Sequence, residues 1–172
     1  EIANFSKHEF KGPDARKFLN YVLAGTIPKP GRISLNPMLT PKGKLYGDLT
    51  VACLNENRFI IFGSGAVQEM HRRWFEKNLK DFNLIYQNRS DDFHGLALSG
   101  PKSRELLQKL VRENISNENF SNNILIDLFL QGLNVFQAVT CNRYNDTQLY
   151  IIMYIMYIYN IFDFYCKNTI YK

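Results

Sequence analysis

The sequence is short of the residues that usually build metal centres and disulfide frameworks. Its three cysteines, Cys53, Cys141 and Cys166, are far apart and include no C-x-x-C pair. An odd number of isolated thiols predicts reduced cysteines and no disulfide framework. The three histidines are also solitary, with no cysteine, histidine or carboxylate at metal-ligand spacing. We therefore expect no metal site.

Dense runs of lysine and arginine are missing as well. The net charge is only +5 over 172 residues, and the basic residues are dispersed among acidic ones. This pattern argues against nucleic-acid binding, whereas a mildly basic surface suits an anionic small molecule. Because 45% of the residues are apolar, the chain is expected to fold around a core as about one domain.

The first residues, 1–5, lack the charged and apolar regions of a secretory signal, and there is no initiator Met. These features predict a piece of a longer protein that stays in a reducing compartment. A cytoplasmic location is expected, or the mitochondrial matrix if the host is eukaryotic.

Glycine and proline are absent after residue 132, and residues 141–172 hold seven of the ten tyrosines. The apolar run 149–159 has strong β-propensity and is too short to span a bilayer, so no membrane anchor is expected. We interpret residues 141–172 as an aberrant Tyr/Ile-rich tail, of the kind that read-through of an AT-rich stretch would produce. The functional domain is predicted to occupy residues 1–140.

The start of the chain predicts a strand followed by a helix. Phe5–Phe10 reads as a short strand, and the helix opens at Gly12–Arg16, where Pro13 lies in the first turn and Gly25 comes after the end. Four apolar residues share one face of this helix, which predicts packing on a sheet: Phe18, Leu19, Val22 and Leu23.

The middle of the chain predicts a hairpin and a second helix. A proline-rich loop (Pro28 to Pro41) precedes two apolar runs, Lys44–Leu54 and Arg58–Phe62, which read as a hairpin around Asn55–Asn57. A helix is predicted over Ala66–Leu79. It has an inward stripe, which is the row of side chains that faces the core, and a solvent-exposed face that includes Arg72 and Glu76. The inward stripe is predicted to be Val67, Met70, Trp74 and Leu79.

A second strand and helix repeat the first pair. Gly100–Arg104 matches Gly12–Arg16, and each segment follows a short apolar strand and precedes an apolar helix. Strands mixed with helices, and joined by hairpins, favour an α+β fold with antiparallel sheets and packed helices. We expect two ferredoxin-like half-domains, incomplete at the C-terminus.

Asp48 is the strongest candidate for chemistry, because it is a carboxylate inside an apolar strand segment. Burial would raise its pKa unless a neighbour donates a hydrogen bond, and such carboxylates occur at functional sites. The alternative is an ordinary aspartate near a strand end that faces water.

Several motifs occur in order and together resemble a known family. The run Met38–Val51 carries Leu-Thr-Pro-Lys-Gly-Lys-Leu-Tyr-Gly-Asp, and Phe59–Gly65 and His71–Phe75 follow it. With Asn4–Lys7 and Leu96–Arg104, these segments are similar to the folate-binding aminomethyltransferase domain, the T-protein of the glycine cleavage system. The likeness extends to its version in the C-terminal part of dimethylglycine and sarcosine dehydrogenases.

The resemblance implies a function and a set of site residues. Its members bind tetrahydrofolate, which accepts a one-carbon unit from an N-methyl amine or aminomethyl intermediate to give 5,10-methylenetetrahydrofolate. Asp48 maps onto the family aspartate beside the folate nitrogens, where it would orient the nucleophile or take its proton. Leu35 and Thr50 would line the pterin site, and Ser64 stands where glycine-cleavage members carry Asn.

Part of the family pattern is missing. The family continues with a Tyr-Thr-Gly-Glu-type motif whose Glu binds the pterin. In residues 140–150 only Tyr144 and Asp146 partly match this motif. The FAD-binding half of a dehydrogenase is also absent, so amine oxidation would need that separate domain. Two alternatives therefore stand beside the transferase: a truncated, non-catalytic remnant, and a folate-dependent demethylase of sulfonium compounds.

Overall fold

The computed structural model describes residues 4–100, 102–109, 111, 114–116, 119, 125–126, 138–143 and 149–156. Within these residues the chain forms nine strands and three α-helices. In chain order they are β1 (Phe5–Lys11), α1 (Ala15–Val22), β2 (Arg32–Leu39), β3 (Leu45–Asn55), β4 (Arg58–Ser64), α2 (Gln68–Asn78), β5 (Ile85–Asn88), β6 (Phe93–Gly100), α3 (Ser103–Gln108), β7 (Leu125–Ile126), β8 (Ala138–Arg143) and β9 (Leu149–Met156).

The strands form two antiparallel sheets, which confirms the α+β prediction. The first sheet has the order β2-β3-β4-β1-β5 and the second the order β6-β9-β8-β7. The two repeated strand–helix units fall in different sheets, because α1 follows β1 in the first and α3 contacts β6 and β9 in the second. The described chain is thus divided between two sheets, and the two half-domains expected from the repeat stay a prediction.

The turn before α1 depends on glycine at position 12. Gly12 has a φ of 147°, and a Cβ there would lie 2.7 Å from the Cα of Leu84. The carboxylate of Asp14 then accepts a hydrogen bond from the backbone N–H of Asn83 at 2.8 Å. These contacts join the start of α1 to the chain before β5, and the four predicted apolar residues of this helix segment are all buried.

Strand β2 was not predicted, because its segment was interpreted as part of the proline-rich loop. Pro37 lies inside β2, opposite Asp48 on β3. Proline cannot donate to a neighbouring strand, but β2 is the edge of the sheet, where that donor is not needed.

The inward stripe predicted for α2 is wrong by about one residue. His71 and Phe75 are the buried residues of this helix, whereas Met70 and Trp74 are half-buried. The shift occurs because a histidine takes an inward position that the hydrophobic pattern assigns to an apolar residue.

The apolar run near the C-terminus contributes a strand. β9 lies between β6 and β8, and its Ile152 pairs with Ala97 on β6. The division into a domain and an aberrant tail stays a prediction, since residues 144–148 and 157–172 lie outside the described residues. Among the described residues, no helix is long and apolar enough to cross a membrane.

One face of the first sheet carries the main hydrophobic core. Phe18 from α1 and Phe75 from α2 both pack around Phe10 on β1, with ring centroids 5.3 and 5.0 Å away. Leu49 and Val51 of β3 belong to the same buried cluster. Both helices therefore cover this face, and the alternate residues of each strand point to the opposite face.

Candidate functional site

The strand register brings the four predicted site residues to one face of the first sheet, opposite the helices. Leu35 on β2 pairs with Thr50 on β3, and Asp48 lies two residues before Thr50 on that strand. Thr50 also pairs with Phe62 on β4, and Ser64 lies two residues beyond it. Directly paired side chains are about 5 Å apart, so the four residues occupy two adjacent rows of one surface, which we call the polar face.

The polar face is accessible at these positions. Leu35 exposes 67% of its surface, and Asp48 and Ser64 are also exposed, whereas Thr50 is half-buried. The burial of Asp48 expected from its apolar context is therefore wrong. Its neighbours Leu49 and Val51 are buried on the helix-covered face, but alternation sends Asp48 to the other face.

A charged network lies farther along the same face. Glu9 on β1 is buried, and its carboxylate accepts hydrogen bonds from Arg58 at 2.7 Å and from Arg89 at 3.2 Å. Lys7, two residues earlier on β1, is also buried and pairs with Phe62. Because Phe62 pairs with Thr50, a buried ammonium group belongs to the same row as Thr50 and Leu35.

Two histidines that look solitary in the sequence lie together behind this surface, in the helix-covered core. The rings of His8 and His71 are 6.4 Å apart, and His8 Nδ1 lies 2.8 Å from the hydroxyl of Tyr86. Burial, with His71 nearby, lowers the pKa of His8 to about 4. Burial also lowers the pKa of His71, although a hydrogen bond with the Tyr46 carbonyl opposes it. Both rings are therefore neutral at pH 7.

No role was predicted for His71 beyond its place in the family-like segment His71–Phe75, although the sequence holds a signal for one. Glycine inside a strand often marks a place where another group approaches the backbone, and both Gly47 and Gly63 lie inside strands. In the structure His71 is the nearest such group at Gly47, and at Gly63 it approaches the backbone together with Leu49.

The described residues include no group of three or more histidine, cysteine or carboxylate side chains arranged to hold a metal ion. The described thiol of Cys53 is buried and free of any disulfide. The polar groups on the described surface are the Asp48 carboxylate, the hydroxyls of Thr50 and Ser64, and the charged groups around Glu9.

Comparison with known families gives a direct result. The model of the GCVT N-terminal domain matches residues 1–141. The chain belongs to this family. The resemblance stated from the motifs is thereby confirmed.

Relatives of this GCVT-family chain fall into two groups. It is 34% identical to the mitochondrial dimethylglycine dehydrogenase of Mus musculus over 123 residues, which are 70% of this chain and 14% of that protein. It is 29% identical to an aminomethyltransferase of Desulfitobacterium hafniense strain Y51 over 122 residues, again 70% of this chain and 33% of that protein. The chain thus spans a third or less of these relatives.

Solved structures agree on the fold of the GCVT domain. The glycine cleavage system aminomethyltransferase T of Bartonella henselae matches with a TM-score of 0.74 at 18% identity, covering 90% of this chain and 40% of that one. A heterotetrameric sarcosine oxidase of Corynebacterium sp. U-96 matches with a TM-score of 0.63 at 14% identity, covering 90% of this chain and 73% of the other.

The individual roles of Asp48, Leu35, Thr50 and Ser64 stay predictions. The partial match to the acidic pterin motif lies outside the described residues, at Tyr144 and Asp146.

Proposed function

We propose that the polar face of the first sheet binds tetrahydrofolate, and that the chain serves a one-carbon transfer as part of a larger aminomethyltransferase or dimethylglycine-type dehydrogenase. The observation that supports this most is the strand register. It gathers the four residues that the family resemblance links to the pterin site on one accessible surface.

The residues present fit such a ligand. A pterin ring is flat, with N–H groups at its edge that need acceptors, and the exposed Asp48 carboxylate is an acceptor. The exposed side chain of Leu35 offers apolar contact to a ring face, and the hydroxyls of Thr50 and Ser64 can donate or accept hydrogen bonds.

Asp48 carries the chemical part of the proposal. Tetrahydrofolate would supply the amine nitrogens that take up the one-carbon unit. A carboxylate within hydrogen-bond reach of such a nitrogen orients it and receives its proton. When ligand covers the surface, loss of water strengthens the interaction of Asp48 with that N–H group.

Substrate and partners follow from the relatives and are part of the proposal. Two names among the relatives, dimethylglycine dehydrogenase and aminomethyltransferase, support a donor that is an N-methyl amine or an aminomethyl group. Oxidation of an N-methyl amine would use FAD on a separate dehydrogenase domain. The compartment we propose is the cytoplasm, or the mitochondrial matrix in a eukaryotic host; the mitochondrial dehydrogenases among the relatives support a mitochondrial location.

Thermal unfolding with 5-formyltetrahydrofolate, a stable folate analogue, tests the proposal. Ligand at about 100 times its Kd adds about 2.7 kcal/mol of stability, which for a chain of this size raises Tm by about 5 to 10 °C. Asp48→Asn keeps the shape and removes the charge, so the shift should shrink.

Asp81→Asn is the matched control, since Asp81 is exposed in the turn after α2. It should keep the full shift. A wild-type protein that unfolds cooperatively with no shift would overturn the proposal and favour the non-catalytic remnant.

A further inference from the structure

Strand β3 contains a bulge just before Asp48. Leu45 pairs with Leu39 and Gly47 pairs with Met38, so Tyr46 is an extra residue with no partner opposite it on β2. Bulges bend a strand and re-aim the side chains that follow, and they occur often beside active sites. The direction of Asp48, two residues later, therefore depends on how Tyr46 is held.

Helix α2 holds Tyr46 from the helix-covered side. His71 Nε2 lies 3.3 Å from the Tyr46 carbonyl oxygen, and since a carbonyl only accepts, Nε2–H is the donor. The Tyr46 ring also packs on Trp74, one turn along α2, at a centroid distance of 4.9 Å. The extra residue of the bulge is thus fixed by two side chains of one helix.

His71 also lies directly on the backbone of two strands. A Cβ at Gly47 would lie 2.8 Å from His71 Nε2, and one at Gly63 would lie 3.1 Å from His71 Nδ1. These glycines immediately precede Asp48 and Ser64, both residues of the polar face. The ring therefore fills the space behind Gly47 and, together with Leu49, the space behind Gly63.

If only packing were needed at this position, a buried histidine would lower the stability of the protein relative to an apolar side chain. His71 is 1% exposed, and among the described residues its Nδ1, like Ser6 Oγ and His8 Nε2 nearby, is buried with no hydrogen-bond partner. Each such group loses the water it would bind in the unfolded chain, and an apolar side chain would avoid that loss. The retained polar function is the bond to Tyr46.

We propose that His71 is a positioning residue for the polar face: it fixes the Tyr46 bulge from the opposite side of the sheet and so sets the direction of Asp48. This inference rests on the proposed folate function for its consequence, but the bulge can be observed without any ligand.

The test compares three variants with the wild type. His71→Leu removes the donor. In His71→Gln the side-chain amide stands near the place of Nε2–H and can still donate to Tyr46. Phe75→Leu is the matched control, since Phe75 is buried on the same helix and contacts His8 and Phe10 instead of Tyr46. The readouts are amide hydrogen exchange at Gly47 and Asp48 in the free protein, and the Kd for 5-formyltetrahydrofolate.

We expect His71→Leu to speed exchange at Gly47 and Asp48 about tenfold and to weaken ligand binding about tenfold, the size of one hydrogen bond. His71→Gln should restore most of both. Phe75→Leu should lower Tm yet leave local exchange and Kd near the wild-type values. If His71→Leu does not fold, Gly47→Ala displaces the ring and should give the same pattern.

Three outcomes would overturn the inference, and a fourth would overturn the proposed function. Unchanged exchange in His71→Leu overturns the inference, and so does faster exchange with unchanged Kd. If Phe75→Leu and His71→Leu speed exchange and weaken ligand binding equally, and His71→Gln restores neither, His71 acts only as a core residue and the inference is overturned. A wild type that binds no folate overturns the proposed function instead, and the exchange result alone then decides whether His71 fixes the backbone at Asp48.

Discussion

The two faces of the first sheet use different residues and meet different demands. The helix-covered face buries a set of aromatic rings, with Phe10, Phe18 and Phe75 among them, and two neutral histidines. The polar face carries the accessible Leu35 and Asp48. The same strands supply both, because alternate residues point to opposite sides. The helix-covered face thus holds the larger aromatic cluster, whereas the opposite face exposes Leu35 and Asp48 beside buried residues such as Glu9 and Phe62.

The largest expected effect is on the helix-covered face. Phe75→Ala removes a fully buried ring that contacts His8, Phe10 and Phe18, and should destabilise the protein by about 3 to 5 kcal/mol. Leu35→Ala, on the polar face, should cost less than about 0.5 kcal/mol because Leu35 is largely exposed. Urea unfolding of the two variants measures both values. Similar losses would remove the contrast between the faces.

The second-largest expected effect is a dependence of stability on pH, which is caused by His8 on the helix-covered face. The folded pKa of His8, about 4, is below its unfolded value of 6.5, so the unfolded chain binds the proton more readily. The contribution of neutral His8 to the free energy of unfolding is therefore fully present above about pH 6.5 and is lost as the pH drops toward 4. Between pH 7 and pH 5 the loss from His8 should be about 2 kcal/mol, measured by urea unfolding at each pH.

The lowered pKa of His71 adds to this loss in the same direction. A His8→Phe variant should show a flatter pH profile over this window. An equally steep profile in that variant would assign the acid sensitivity to other groups.

A smaller effect is expected from the charged network beside the polar face. Glu9→Gln leaves Arg58 and Arg89 without their shared anion, but both arginines are partly exposed. The loss should therefore be about 1 to 2 kcal/mol, and it should shrink in 1 M salt. Glu56→Gln is the control, because the exposed Arg16–Glu56 pair contributes less than about 0.5 kcal/mol. Equal, salt-independent losses in both variants would contradict this ranking.

Local features of the fold were readable from the sequence. The β1–α1 unit and the β3–β4 hairpin were predicted because their periodicity and turn residues lie within a few positions of one another. Strand β2 was not predicted, since Pro37 is typical of loops and only its place at the sheet edge makes it compatible with a strand.

The motifs named candidate site residues, whose roles stay predictions, but they could not predict how those residues are arranged. The motif around Asp48 marked the segment, yet placing Leu35, Thr50 and Ser64 on one face needs the register of three strands, which is set by contacts far apart in the sequence. The segment His71–Phe75 was matched to the family, but no role was predicted for His71 itself, because Gly47 and Gly63 come close to it only in the folded chain.

Amide hydrogen exchange with and without 5-formyltetrahydrofolate tests most directly that the polar face is the ligand surface. We expect slower exchange in β2, in β3 around Asp48 and at the end of β4 near Ser64, with α1 and α2 unchanged. Asp48→Asn should lose this protection. Protection centred on α1 and α2, or the same protection in Asp48→Asn, would contradict a ligand surface on the polar face.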